Sequence, residues 1–141
     1  MAKLLKDTIT LKLTIGSGEN TRVPDRSGLN WGQRPNRDHN QAYIAIPRDI
    51  QKSSFFPEAG VPFEIKCDDG YKMNCVRAQA NGKALQTTPQ NAILGAYFRR
   101  RLSLRDGQLI TLAHLERYGR STLEISKIDY LHFFLDFSAQ T

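Results

Sequence analysis

Two irregular stretches of this 141-residue chain concentrate arginine, lysine, asparagine and glutamine while carrying few acids. The first holds Asn20, Arg22, Arg26, Asn30, Trp31, Gln33, Arg34, Asn36, Arg37, His39, Asn40 and Gln41. The second holds Arg77, Gln79, Asn81, Lys83, Gln86, Gln90 and Asn91. These side chains can discriminate base edges in a major groove: guanidinium and ammonium groups donate to guanine O6 and N7, and carboxamides pair with adenine N6 and N7. A generic surface loop carries Asp and Glu in numbers similar to its Arg and Asn, so the composition points to a nucleic acid. Trp31, the one large aromatic of the two stretches, fits an anchor for its loop better than a stacking platform.

The charge follows the same geography. The chain carries 20 Lys+Arg against 14 Asp+Glu, a formal charge of +6. Between Lys72 and Arg101 stand Lys72, Arg77, Lys83, Arg99, Arg100 and Arg101 with no acid at all. A second excess runs from Arg22 to Lys52, where Arg22, Arg26, Arg34, Arg37, Arg48 and Lys52 face Asp25, Asp38 and Asp49. Basic regions of this kind attract a polyanion and speed its encounter. Arg99, Arg100 and Arg101 also suit the C-terminal end of a helix, whose dipole favours cations there.

Other chemistries find less support. His39, His114 and His132 fall on different predicted elements, and no Ser sits in a G-x-S-x-G turn. Glu64-Ile65-Lys66 matches the E-x-K half of a magnesium-dependent nuclease site, but its required Asp would be Asp25, in the loop after Pro24 and not on a neighbouring strand. Cys67 and Cys75 lack CxxC spacing and clustered His partners, so they read as buried thiols. No catalytic site and no metal site are expected in this chain. A small nuclease using Glu64 and Lys66 is one alternative; a single-strand or RNA-binding barrel is another, although that reading calls for several exposed aromatics along a groove.

The positioning elements are mainly strands. Thr8 to Ile15 alternates apolar and polar residues, residues 16–41 form a long loop, and Ala42 to Ile46 gives a second strand stopped by Pro47. Arg48 to Phe56 suits a short helix. Residues 62–67 and 71–79 form a hairpin about Asp68-Asp69-Gly70, and Asn81-Gly82 turns the chain into a strand over Lys83 to Thr87. Thr88-Pro89 opens a helix carrying Ile93, Leu94, Tyr97, Phe98 and Leu102. Leu109-Ile110 reads as a brief strand, Thr111 and Gly119 bound a helix, and residues 122–128 and 131–137 close the chain as two strands. Seven or so short strands with two or three short helices point to a mainly-β barrel or sandwich, one domain over 1–141. No apolar run reaches the ~18 residues of a membrane span, and MAKLLKDTITLKL at the start lacks the features of a signal peptide, so no membrane association is expected.

Several blocks, in order, carry a family resemblance. Ser27-Gly28-Leu29-Asn30-Trp31-Gly32-Gln33-Arg34, continuing through Arg37 to Asn40-Gln41-Ala42-Tyr43-Ile44, resembles the opening of the DNA-binding domain of NgoFVII-type restriction endonucleases. Phe55-Phe56-Pro57, Asp68-Asp69-Gly70, Val76-Arg77-Ala78-Gln79 with Asn81-Gly82-Lys83-Ala84, Leu94-Gly95 with Tyr97-Phe98-Arg99, and Arg117-Tyr118-Gly119-Arg120 continue it over about residues 10–137. The resemblance implies a B-three-like (B3-like) seven-stranded open pseudobarrel. This fold is shared with plant transcription factors and with the specificity domains of EcoRII, BfiI and NgoFVII type enzymes.

In that family two arms grip double-stranded DNA from the major-groove side. Carried over, the arms are residues 26–41 and 77–86, the stretches that composition also singles out. The resemblance makes Asn30, Gln33, Arg34, Arg37, Arg77, Gln79, Asn81, Lys83 and Gln86 base-reading candidates. Arg26, Trp31, Asn36, Asn40, Gln41, Lys72, Arg99, Arg117 and Arg120 are candidates for the DNA backbone, with Lys72, Arg99, Arg117 and Arg120 alternatively in structural pairs. It also implies a nuclease domain elsewhere in a parent restriction enzyme, with its own Mg²⁺, a bacterial cytoplasmic setting and a short GC-rich or CC(A/T)GG-like site. A chain this short has no room for the nuclease, so it reads as a fragment or a stand-alone reader, N-terminal in the EcoRII manner.

Overall fold

Alternating apolar residues pair into a single seven-stranded sheet. The computed structural model describes residues 7–139; the first six residues of MAKLLKDTITLKL, the segment considered as a signal peptide, lie outside them. Among the described residues the strands are β1 (Thr8–Lys12), β2 (Ile44–Ala45), β3 (Phe63–Cys67), β4 (Lys72–Ala78), β5 (Ala84–Thr87), β6 (Thr122–Asp129) and β7 (His132–Asp136). Their order is β1-β6-β7-β3-β4-β5-β2, with β3 and β7 parallel and the other neighbours antiparallel. The two edge strands, β1 and β2, approach each other across a shallow opening lined by Thr10, Lys12, Ala45 and Pro47, so the sheet is a nearly closed barrel. The mainly-β pseudobarrel expected from the sequence is the fold.

The inward residues fill the barrel. Leu11, Ile65, Cys75, Leu85, Leu123, Ile125 and Leu135 are completely or almost completely buried, as period-two alternation requires. Phe55, Phe56, Phe63 and Phe133 pack at ring separations of 4.9–5.6 Å. Three α-helices are described: α1 (Arg48–Gln51), α2 (Ala92–Arg101) and α3 (Leu112–Tyr118). Helix α2 buries Leu94, Tyr97 and Phe98, and α3 buries Leu115. At the start of α3 the Thr111 N–H donates to His114 Nδ1 (3.0 Å), and Gly119 ends the helix in the left-handed region.

Several sequence expectations change: the first strand ends at Lys12, and the helix expected over residues 48–56 spans only Arg48–Gln51. The second strand shrinks to Ile44–Ala45. Helix α2 begins at Ala92 and not at Pro89, because the Thr88 N–H still bonds Asn74 O (2.9 Å) in the sheet. The Thr87 hydroxyl forms the entry instead, accepting from the Leu94 N–H (3.1 Å) and donating to Gln90 O (2.6 Å). Leu109-Ile110 is not a strand; its polar main-chain groups at Ile110 are taken by a side chain described below.

Both cysteines are buried free thiols. Burial pushes the Cys67 thiol up to about 11 and Cys75 further still. At pH 8 this leaves a thiolate fraction at Cys67 of about one in a thousand. Neither thiol is therefore expected to react with a chromogenic disulfide reagent in the native protein, and both should react once denaturant is added. Rapid labelling before unfolding would contradict the burial.

Candidate nucleic-acid interface

The second arm is the β4–β5 connection. Register pairs Cys75 with Thr87 and Ala78 with Ala84, leaving Gln79, a single 3-10 turn over Ala80–Gly82, and Lys83 to reverse the chain. Gln79 and Asn81 occupy positive φ (65° and 61°), which a tight reversal demands of someone and Asn tolerates well. Gln79, Asn81 and Lys83 are exposed. Arg77 is not presented in the same way. Its Nε donates to Gly82 O (3.1 Å), Nη1 to Pro57 O (3.3 Å), and Nη2 to Gln51 O and Asn81 O (both 3.2 Å). Four main-chain carbonyls thus engage the guanidinium expected among the base-reading candidates, and Arg77 fastens the arm to the barrel.

The first arm is built on the 3-10 segment Gly28–Gln33. Asn30 lies inside it, fully buried. Its Nδ2 donates to Pro24 O (2.8 Å) and Ile110 O (2.7 Å), while its Oδ1 accepts the Ile110 N–H (2.9 Å). The carboxamide acts as a one-residue strand partner for Ile110, and in this arrangement it has no free edge for a base. Gln33 Nε2 is held by His39 O (3.2 Å) and Gly107 O (3.0 Å), and Asn40 Oδ1 accepts the Gly107 N–H (2.8 Å). The arm also rests on α2: a Cβ on Gly95 would come within 1.8 Å of Asn40 O, so only glycine lets the helix pass so close.

Other first-arm groups face outward. Arg34 donates one bond, Nε to Arg26 O (2.9 Å), and is otherwise exposed, as are Arg26 and Asn36. Arg37 lies 4.5 Å over the Trp31 ring and donates to Gln41 Oε1 (2.8 Å). Trp31 packs edge-on against Tyr43 at 5.3 Å, which secures the arm to the barrel.

A depression of about 380 Å³ joins the arms. Asp38 and Gln41 line it from the first arm, Gln86 from the second, and Pro89, Gln90, Asn91 and Ala92 from the entry to α2. Gln86 Oε1 is buried there with no partner among the described residues. The floor between the arms is thus rich in carboxamides, carries one carboxylate, and has an unsatisfied acceptor.

The remaining candidates are scattered. Arg99 is completely buried beneath the first arm, its Nε bonded to Gln108 O (2.8 Å) and its Nη1 to Gly95 O (3.2 Å). Burial pushes its pKa down, against the pull of Asp106 and Asp38. The backbone-contact reading for Arg99 is corrected accordingly, since a phosphate cannot reach it in this structure. Lys72 sits at the far end of β4 from the arm, about 20 Å away at the usual strand rise. Arg120 pairs with Asp136 (3.3 Å) and donates to Ser138 O (3.2 Å); Arg117 is exposed on α3. Near Lys72, Arg101 bonds Asp68 (2.8 Å), Tyr97, Tyr118 and the Phe137 carbonyl; burial lowers the Arg101 pKa, but these partners outweigh it and hold it above the usual arginine range.

The electrostatic contrast is clear. Among the described residues the ion pairs are Arg101 with Asp68 and Asp69, Arg120 with Asp136, and His132 with Asp129. Among the described residues no cation of either arm has a carboxylate within 4 Å. No group of three His, Cys, Asp or Glu side chains is close enough to hold a metal ion among the described residues, and Glu64 and Lys66 face Asn74 and Lys72 across the β3–β4 ladder. No described helix is long and apolar enough to cross a membrane.

A family model, the NgoFVII C-terminal B3-like DNA-binding domain, matches residues 3–129 of the chain. No curated protein matches it.

Proposed function

Because the chain belongs to the NgoFVII C-terminal B3-like DNA-binding domain family, we propose that it reads a short sequence in double-stranded DNA through the major groove, as the target-recognition part of a type II restriction endonuclease. The observation that supports this most is the set of exposed polar side chains, free of carboxylate partners among the described residues, on two arms flanking one carboxamide-rich depression. Arg34 and Arg37 suit guanine O6 and N7, and the exposed Gln79 and Asn81 suit adenine N6 and N7, while Gln86, its Oε1 buried, supports the floor between them. Lys83, Arg26 and Asn36 suit phosphates or a neighbouring base. Phosphate contacts supply salt-dependent affinity, and the base edges set the sequence. This chain does no chemistry of its own. Cutting falls to a separate Mg²⁺-dependent nuclease domain in the bacterial cytoplasm.

Selection from a randomised duplex pool, followed by titration against a scrambled duplex at two salt concentrations, tests the reading. A defined motif is the expected outcome, with CC(A/T)GG-like and GC-rich sites the first to compare. Arg34→Ala should then cost about 1–3 kcal/mol on the selected duplex and much less on the scrambled one. Equal losses on both would remove Arg34 from base readout, and retention of duplex without preference would overturn the proposal.

A further inference from the structure

A second cleft, of about 550 Å³, lies between α1 and the tip of the second arm. Arg48, Gln51 and Lys52 line one wall, and Asn81 and Lys83 line the other. Three of these five residues are cations, and none is an acid. Asp49, although on α1, is exposed and outside the lining. No carboxylate lies within 4 Å of Arg48, Lys52 or Lys83 among the described residues. Arg77 adds a fourth uncompensated charge, and its Nη2 bonds the main chain of both walls, at Gln51 and at Asn81. A Cβ on Gly82 would come within 2.8 Å of that guanidinium, so a larger residue there would push the Arg77 side chain off its carbonyls.

We propose that this cleft is a phosphate clamp that holds the backbone of the DNA whose bases the second arm reads. It rests on the reading given under Proposed function. Like charges held together without counter-ions favour a polyanion. The lining offers no aromatic or aliphatic side chain to stack a base or hold an acyl chain, so the group recognised is the phosphate itself. Asn81 and Lys83 belong both to the arm and to the cleft wall. A strand that meets the arm with its bases therefore carries its phosphates past Arg48 and Lys52. The clamp adds affinity that is independent of sequence and fixes how far the arm enters the groove.

The test is the full-length double variant Arg48→Gln/Lys52→Gln, titrated with the selected and the scrambled duplex over a salt series. Both substitutions are at exposed positions, Arg48 on the four-residue α1 and Lys52 directly after it, and a circular dichroism spectrum checks the fold. Affinity for both duplexes should fall about tenfold at low salt, with their ratio preserved. The slope of log K against log salt should become shallower by about 2, the loss of two phosphate contacts. Arg48→Lys/Lys52→Arg should restore the wild-type slope. A double variant with the wild-type slope and affinity overturns the clamp while wild-type sequence preference leaves the function standing. A wild-type chain that binds no duplex overturns both.

Discussion

Asn30→Leu is expected to lower folding stability by about 4 kcal/mol. Leucine keeps the branched outline and the number of heavy atoms, so the change removes the polar groups while adding only the bulk of two methyl groups. It strands the Ile110 N–H and C=O and the Pro24 C=O, which Asn30 satisfies at 2.7–2.9 Å. A buried main-chain group left without a partner costs about 1–3 kcal/mol, and Asn30 itself is fully buried. For a protein of this size, that loss lowers the melting temperature by roughly 10–20 °C and is a large fraction of total stability. A base reader at this position behaves differently: it leaves the melting curve alone and weakens only the cognate duplex. Thermal or urea unfolding, with duplex titration performed well below the transition, separates the two. An unchanged melting temperature would restore Asn30 to the DNA and leave Ile110 without an explanation.

Asn30 also shows where sequence reading stops. Strands β3 and β4 could be read directly, because Phe63, Ile65 and Cys67 alternate with polar residues and Asp69-Gly70 turns the chain. Thr111 and Gly119 bounded α3 for equally local reasons. Ile110 looked like strand on the same evidence, but its partner is a carboxamide eighty positions earlier, which no local pattern reveals. Charge misleads in a related way. Arg77 and Arg99 stand in a stretch without acids, so both look free to meet a polyanion, yet main-chain carbonyls engage them. Carbonyls are present at every residue and leave no mark in a sequence. The residues that remain available, Arg34, Arg37, Gln79, Asn81 and Lys83, flank glycine, proline or a turn, where the chain has few main-chain groups positioned to capture a side chain.

The arm itself is held by Arg77, and Arg77→Ala should therefore act on stability and binding together. Removing the guanidinium leaves the carbonyls of Gln51, Pro57, Asn81 and Gly82 without their donor; as these groups are partly open to water, the cost is about 2–4 kcal/mol, less than four full hydrogen bonds to a charged group would suggest. The consequence for recognition is broader than the loss of one contact. Gln79 and Asn81 keep positive φ only while the tip is held, and release of the tip lets both return to extended conformations. Discrimination should then weaken at every base pair the second arm touches, while positions read by Arg34 and Arg37 keep theirs. A panel of duplexes carrying single base-pair changes measures this. Loss of preference at one base pair, with an unchanged melting temperature, would mean that Arg77 lets go of its carbonyls and reads that base directly. Lysine does not substitute: its ammonium is a single point with three donors and cannot span carbonyls from three separate segments. Arg77→Lys is therefore expected to resemble Arg77→Ala in both measurements, whereas a simple requirement for positive charge at the arm would let it bind like the wild type.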